Sequence, residues 1–191
     1  MPLDEVDRKI ISQLQIDGRT SYKKLSELVG YTPMGVKKRL KKLIDKGIVK
    51  ISALLNLREL NLSAAVVLLE MESSEAMKRV LRRFKECPRV IQIYTTLGGY
   101  NMIALVVAED QKTLESISVE KCSIRSGKGI RRSEFYPIGN IYYSPFMPIR
   151  EHLAHKGRTI TPCNVNCEPC ERYRLNLCVG CPATIYYRGS L

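Results

Sequence analysis

A chain of 191 residues, 45% hydrophobic, can bury the core of one or two domains with a short additional segment. No run of eighteen apolar residues occurs, which argues against a membrane-spanning helix. The net charge of +12, from 31 Lys and Arg against 19 Asp and Glu, belongs either to a solvated basic surface or to a binder of nucleic acid.

The distribution of charge favours nucleic acid. Residues 1–62 hold 13 basic and 7 acidic side chains, a net of +6, so half of the excess lies in the first third of the chain. The N-terminal Met1-Pro2-Leu3-Asp4-Glu5 is acidic and lacks the basic-then-apolar order of a secretory signal, which predicts a cytoplasmic protein.

Three helices are predicted before residue 50. Asp4 is a candidate N-cap for the first, where Val6, Ile10, Ile11 and Leu14 recur at helical spacing until Asp17-Gly18. The second starts near Ser21, is expected to bury Tyr22, Leu25, Leu28 and Val29, and ends at Gly30. Thr32-Pro33, a capping residue before a proline at the first helical position, opens the third, which runs to Asp45-Lys46 and stops at Gly47. Two short helices joined by a tight turn make a helix-turn-helix over residues 1–50, and the strand-like Gly47-Ile48-Val49-Lys50-Ile51 suits its winged variant.

The third helix carries the chemistry. At about 100° per residue, Val36, Leu40, Leu43 and Ile44 share an inward face, while Met34, Lys38, Lys41 and Lys42 point the other way. Lys37 and Arg39 flank the apolar stripe. Long cations on an exposed helix reach phosphates and guanine edges in the major groove of double-stranded DNA. Thr32, Met34 and Lys38 are placed for bases, and Lys41, Lys42 and Lys46 for the backbone; Lys37 and Arg39 complete the candidate set.

After a hinge over 51–62, residues 63–145 alternate strands and helices. The run from Ala64 to Met71 is a strand, and Ser74 is expected to cap a helix with Met77, Val80, Leu81 and Phe84 on one face, stopped by Pro88. Strands at Val90–Thr96 and Met102–Ala108 flank a turn, Leu97-Gly98-Gly99-Tyr100-Asn101. A weaker helix around Leu114 and Ile117 and a last strand from Ile130 to Ile141 complete a β-α-β-β-α-β, ferredoxin-like order in an α+β chain. Two helices cover one face of such a sheet. The strand at 102–108 is apolar on both faces, so a second copy of the chain is the simplest cover, and a homodimer is expected.

Leu3-Asp4-Glu5-Val6-Asp7-Arg8-Lys9-Ile10-Ile11, Asp17-Gly18-Arg19, Ser21-Tyr22-Lys23-Lys24-Leu25, Val36-Lys37-Lys38-Arg39-Leu40-Lys41-Lys42-Leu43 and Lys46-Gly47-Ile48-Val49 closely resemble the Lrp/AsnC (feast/famine) regulators. The resemblance extends to about residue 145. It implies dimers on pseudo-palindromic operators, assembly up to octamers, and a second domain that pairs sheet to sheet and binds amino-acid effectors between dimers. The family's effector turn is commonly Gly-x-x-Asp; here Gly98, Gly99, Tyr100 and Asn101 stand there, with a neutral amide in place of the acid. The alternative for this turn is a structural hairpin without a ligand.

Residues 146–191 read as a linker and a cysteine-rich tail. Cys87 and Cys122, in the middle domain, are expected to be small buried hydrophobes. Cys163, Cys167, Cys170, Cys178 and Cys181 fall within nineteen residues and point to a metal staple. The two Cys-x-x-Cys pairs suit one tetrahedral zinc. Cys163, Cys167 and Cys170 with Cys178 or Cys181 suit an iron–sulfur cluster instead. The Cys-x3-Cys-x2-Cys spacing also resembles the radical-SAM signature, but so short a tail cannot supply that barrel. Disulfides are a further alternative, and His152 and His155 are read as solvated.

Two other functions compete with a DNA-binding regulator. A siroheme decarboxylase shares the two-domain plan, but needs acid–base or propionate-binding groups where this chain has a cationic helix, and both histidines lie outside the two domains. A metal- or redox-sensing regulator would use the tail as its sensor.

Overall fold

Asp4, Ser21 and Thr32 each turn a side-chain oxygen onto the N–H three residues ahead, of Asp7, Lys24 and Gly35, at 2.8, 3.2 and 3.1 Å. These bonds satisfy amides that a helix start leaves unpaired. They open α1 (Glu5–Ile16), α2 (Tyr22–Val29) and α3 (Pro33–Asp45) in the computed structural model, which describes residues 2–191. Met1 lies outside the described residues. Gly30 ends α2 at a φ of 70°, a left-handed conformation that glycine adopts without a Cβ clash.

Ile10, Leu25, Val36 and Leu40 form the buried centre of this unit, with Val6, Leu14, Val29 and Val49 around it. The inward sets are narrower than the periodicity predicted. Leu25 is buried and Val29, one turn on, packs against this centre, whereas Tyr22 and Leu28 are exposed. Ile44 sits at the edge of the Val36–Leu40–Leu43 stripe and is 43% exposed. Residues 48–51 form no strand, and among the described residues this unit contains no other strand for them to pair with.

The chain divides into Met1–Ala53 and Leu54–Leu191. The second unit begins with β1 (Leu55–Asn56), continues through β2 (Ser63–Met71), α4 (Ser74–Phe84), β3 (Val90–Thr95), β4 (Met102–Ala108), α5 (Gln111–Val119) and β5 (Ile130–Pro137), and adds β6 (Phe146–Met147) and α6 (Glu171–Arg174). The N-cap of α4 is Ser73, one residue earlier than expected; its hydroxyl accepts from the Ala76 N–H at 3.1 Å. β5 stops at Pro137, short of Ile141: the Ile138 N–H still donates to the Ala64 carbonyl at 2.8 Å, but the partner strand β2 begins at Ser63 and offers nothing further to pair with.

The main sheet has the order β3-β4-β2-β5, antiparallel throughout, as the ferredoxin-like plan requires. Its register sorts side chains into two faces. Ile93, Ala104, Val67 and Phe135 lie in one cross-strand row on the helix side, where Val80 and Phe84 of α4 and Leu114 and Ile117 of α5 complete the core. Tyr94–Ile103–Leu68–Glu134 and Gln92–Leu105–Val66–Tyr136 are rows of the opposite face.

Residues 146–191 pack into the same unit as the sheet. Ile149 and Leu191 join a buried cluster with Leu57, Ala64, Ile91 and Val107, while Cys163 joins the core on the helix side. Polar contacts tie the rest down. The Arg83 Nε–H donates to the Cys163 carbonyl (3.1 Å), Arg172 Nε–H to the Ser116 hydroxyl (2.6 Å), and that hydroxyl to the Leu177 carbonyl (2.7 Å).

Candidate DNA interface and cysteine cavity

With Val36, Leu40 and Leu43 buried, α3 presents Thr32, Met34, Lys37, Lys38, Lys41, Lys42 and Lys46 outward. Met34, at the helix start, is 69% exposed, an apolar contact beside cations. Lys41 pairs with Asp45 at 2.6 Å across one helical turn, whereas Lys37, Lys38 and Lys42 form no ion pair among the described residues.

Arg39 lies half-buried at the flank of the stripe, as its spacing predicted, and has acid partners that the spacing did not announce. Its guanidinium bonds the carboxylates of Asp4 (2.6 Å) and the buried Asp7 (2.9 Å) and lies over the Tyr31 ring at 5.2 Å. Arg39 therefore ties α3 to the start of α1, and its fork is turned away from the lysine face. The Asp7 N–H first, and Arg39 next, hold the Asp4 carboxyl below its ordinary range.

The turn between β3 and β4 places Gly98 and Gly99 in open space. Asn101 uses both ends of its amide on β2, accepting from the Met71 N–H (2.8 Å) and donating to the Met71 carbonyl (2.9 Å). That ties the turn to β2 through one acceptor and one donor of the amide. The acid at this turn is Glu134, which sequence reasoning missed because it lies on β5. It accepts from the hydroxyls of Tyr100 and Tyr136 and from Arg132 (2.7 Å). Arg132 also stacks on the Tyr100 ring at 5.2 Å.

On the helix side of the sheet lies a cavity of about 300 Å³, and all seven cysteines line it. The tail folds Cys163, Cys167, Cys170, Cys178 and Cys181 onto it, and Cys87 and Cys122 face it from the ends of α4 and α5. All seven are free thiols. Cys87 is buried as expected, but nothing in its spacing, or in that of Cys122, announced a shared wall with residues far along the chain. The knuckle Cys178-Val179-Gly180-Cys181 needs its glycine. Gly180 has a φ of 85°, and a Cβ there would stand 2.6 Å from the Tyr186 carbonyl oxygen. Arg89, also on the wall, forms a buried ion pair with Glu109 and donates to the Gly180 carbonyl at 2.6 Å. Burial pushes the Cys181 thiol up to about 12.

A trihelical unit with an exposed lysine face, in one chain with a ferredoxin-like domain, defines a helix-turn-helix transcriptional regulator. Residues 3–50 match the winged helix-turn-helix DNA-binding family, and residues 64–138 the Lrp/AsnC ligand binding domain. The chain belongs to the Lrp/AsnC family and is a DNA-binding transcriptional regulator of that type. It is 26% identical over 117 residues to the HTH-type transcriptional regulator FL11 of Pyrococcus horikoshii, covering 61% of this chain and 78% of the relative. An uncharacterized HTH-type transcriptional regulator of Pyrococcus furiosus is 30% identical over 119 residues, covering 61% and 80%. Among solved structures, Escherichia coli AsnC superposes with a TM-score of 0.66 at 20% identity, over 75% of this chain and 96% of that one. A transcriptional regulator from Neisseria meningitidis in complex with L-Met gives 0.67 at 24%, over 79% and 99%. Both family matches end by residue 138, so the cysteine tail lies outside them. Among the described residues no helix is long and apolar enough to cross a membrane.

Proposed function

We propose that a homodimer of this chain recognises a specific double-stranded operator through two copies of α3, and that an amino-acid effector modulates it at the β3–β4 turn. The observation that carries the DNA reading is the outer face of α3. Lys37, Lys38, Lys41 and Lys42 stand exposed opposite a buried Val36–Leu40–Leu43 stripe. Cations near a helix start suit base edges, and those further along suit phosphates.

The dimer rests on the outer face of the sheet. Val66, Leu68, Ile103 and Leu105 are only half-buried there, and Tyr94 and Tyr136 are 55% and 52% exposed. A second copy, laid sheet to sheet, would remove this stripe from water at roughly 25 cal/mol per Å² of apolar area. The effector reading takes its ligand class from the L-Met complex of the Neisseria meningitidis regulator. We assign the receiving carboxylate for an effector's ammonium to Glu134, the charged acceptor that bonds the Tyr100 hydroxyl of this turn, with the ammonium sharing the place that Arg132 holds.

The test uses operator DNA recovered by selection from a random pool. Lys38→Ala is expected to lose about 1–3 kcal/mol on the selected site and far less on random duplex. Lys42→Ala is expected to weaken both equally and to lower the salt slope by about one. Equal losses for Lys38→Ala on both duplexes would remove Lys38 from base reading.

A further inference from the structure

The tail's spacing is compatible with two kinds of thiolate-bound metal, and the cavity distinguishes them. A structural zinc draws four ligands to about 2.0–2.3 Å from a single point. Among the described residues, no three His, Cys, Asp or Glu side chains converge in that way. The seven thiols instead surround a space of about 300 Å³. One water needs only ~10–15 Å³, so this space fits a group of many atoms.

The walls indicate which group. Val67 and Val106 of the sheet, Phe84 of α4 and Ile117 of α5 make the cavity apolar on the domain side, and the tail supplies the soft ligands. Soft thiolates select zinc, copper(I) or iron–sulfur clusters; against a single zinc or copper ion, the cluster is the multi-atom core whose thiolates attach at separate corners. Cationic Arg89 stands on the wall, fixed by Glu109 and by the Gly180 carbonyl, beside the Cys178–Cys181 knuckle.

We propose that this cavity holds one four-iron iron–sulfur cluster, bound by Cys163, Cys167 and Cys170 with the fourth thiolate from Cys178 or Cys181. Each ligating thiol gives its proton to solvent as its sulfur binds iron. Cys87 and Cys122 are walls of the site. The cluster would touch Val67 and Val106, whose strand neighbours Val66 and Leu105 lie on the opposite face of the sheet. The assignment is independent of the DNA reading.

The experiment is anaerobic purification of the full chain, followed by reconstitution with sulfide and equal amounts of ferrous and ferric iron, so that the mixed-valence core forms without an external oxidant. The expected product is brown, with about four iron and four acid-labile sulfide per chain. Cys167→Ala combined with Cys170→Ala should lose at least three-quarters of both, while Cys87→Ala should keep them. A colourless protein holding one zinc and taking up no sulfide overturns the proposal, and so does a chain that binds neither metal. Iron retained in full by the double variant overturns it as well. Should that variant fail to fold, the iron and sulfide content per unaltered chain still decides, about two of each overturning the four-iron assignment.

Discussion

Arg39 and Lys38 are neighbours in sequence and both cations, yet they do different work. A 100° step separates them, enough to turn one toward Asp4 and Asp7 and the other outward. Periodicity could place Arg39 at the flank of the apolar stripe; its acid partners lie more than thirty residues away, beyond any local pattern. Arg39→Met is expected to destabilise the chain by about 1–3 kcal/mol, because Asp7 would lose a buried charge partner. It should leave the salt slope of DNA binding unchanged, in contrast with Lys42→Ala. Urea unfolding and a salt titration check the two halves, and a lowered slope would return Arg39 to the phosphate set.

Glu134 gives a pH dependence. The Tyr100 hydroxyl first, then Tyr136 and Arg132, hold its carboxyl below the ordinary glutamate value. A depressed carboxyl contributes stability that is present above the unfolded value, about 4.3, and is lost as the pH falls through the folded one. Glu134→Gln should therefore flatten the acid limb of the urea midpoint measured from neutral pH downward. An unchanged limb would show that the three bonds contribute nothing.

At the scale of elements, the helix starts were the most legible features, since a cap depends on residues three apart. Asp4 and Thr32 cap where expected, and Ser21 caps the helix expected to start near it. Thr32→Ala removes the bond to the Gly35 N–H and is expected to cost about 1 kcal/mol in chemical denaturation. It should also weaken DNA binding by loosening the start of α3; full stability would show that the cap is dispensable. The sheet was legible in its order, because runs such as Met102–Ala108 are strongly apolar. Its ends were not: β5 runs out of partner where β2 begins at Ser63, and residues 48–51 have the composition of a strand but, among the described residues, no partner strand in their unit. The tail was legible as a cysteine constellation and illegible as a packed element. Its anchors are single long-range bonds, such as Arg83 to Cys163 and Arg89 to Gly180, and its cavity needs Cys87 and Cys122 from elsewhere in the chain.

For the molecule as a whole, the apolar stripe on the outer face of the sheet and the lysine face of α3 belong to one account. A dimer presents two reading helices, so its half-sites are expected one helical turn, about 10 base pairs, or a multiple of one apart. Leu68→Asp places a charge at the centre of the Tyr94–Ile103–Leu68–Glu134 row and is expected to give monomers in sedimentation. The most direct measurement is a hydroxyl-radical footprint of the unaltered chain and of Leu68→Asp on selected operator DNA. The account predicts two protected half-sites in phase with the helix for the unaltered chain, and a single weak half-site, or none, for the variant. One unrepeated half-site with the unaltered chain, or the same paired footprint from a monomeric Leu68→Asp, would contradict it.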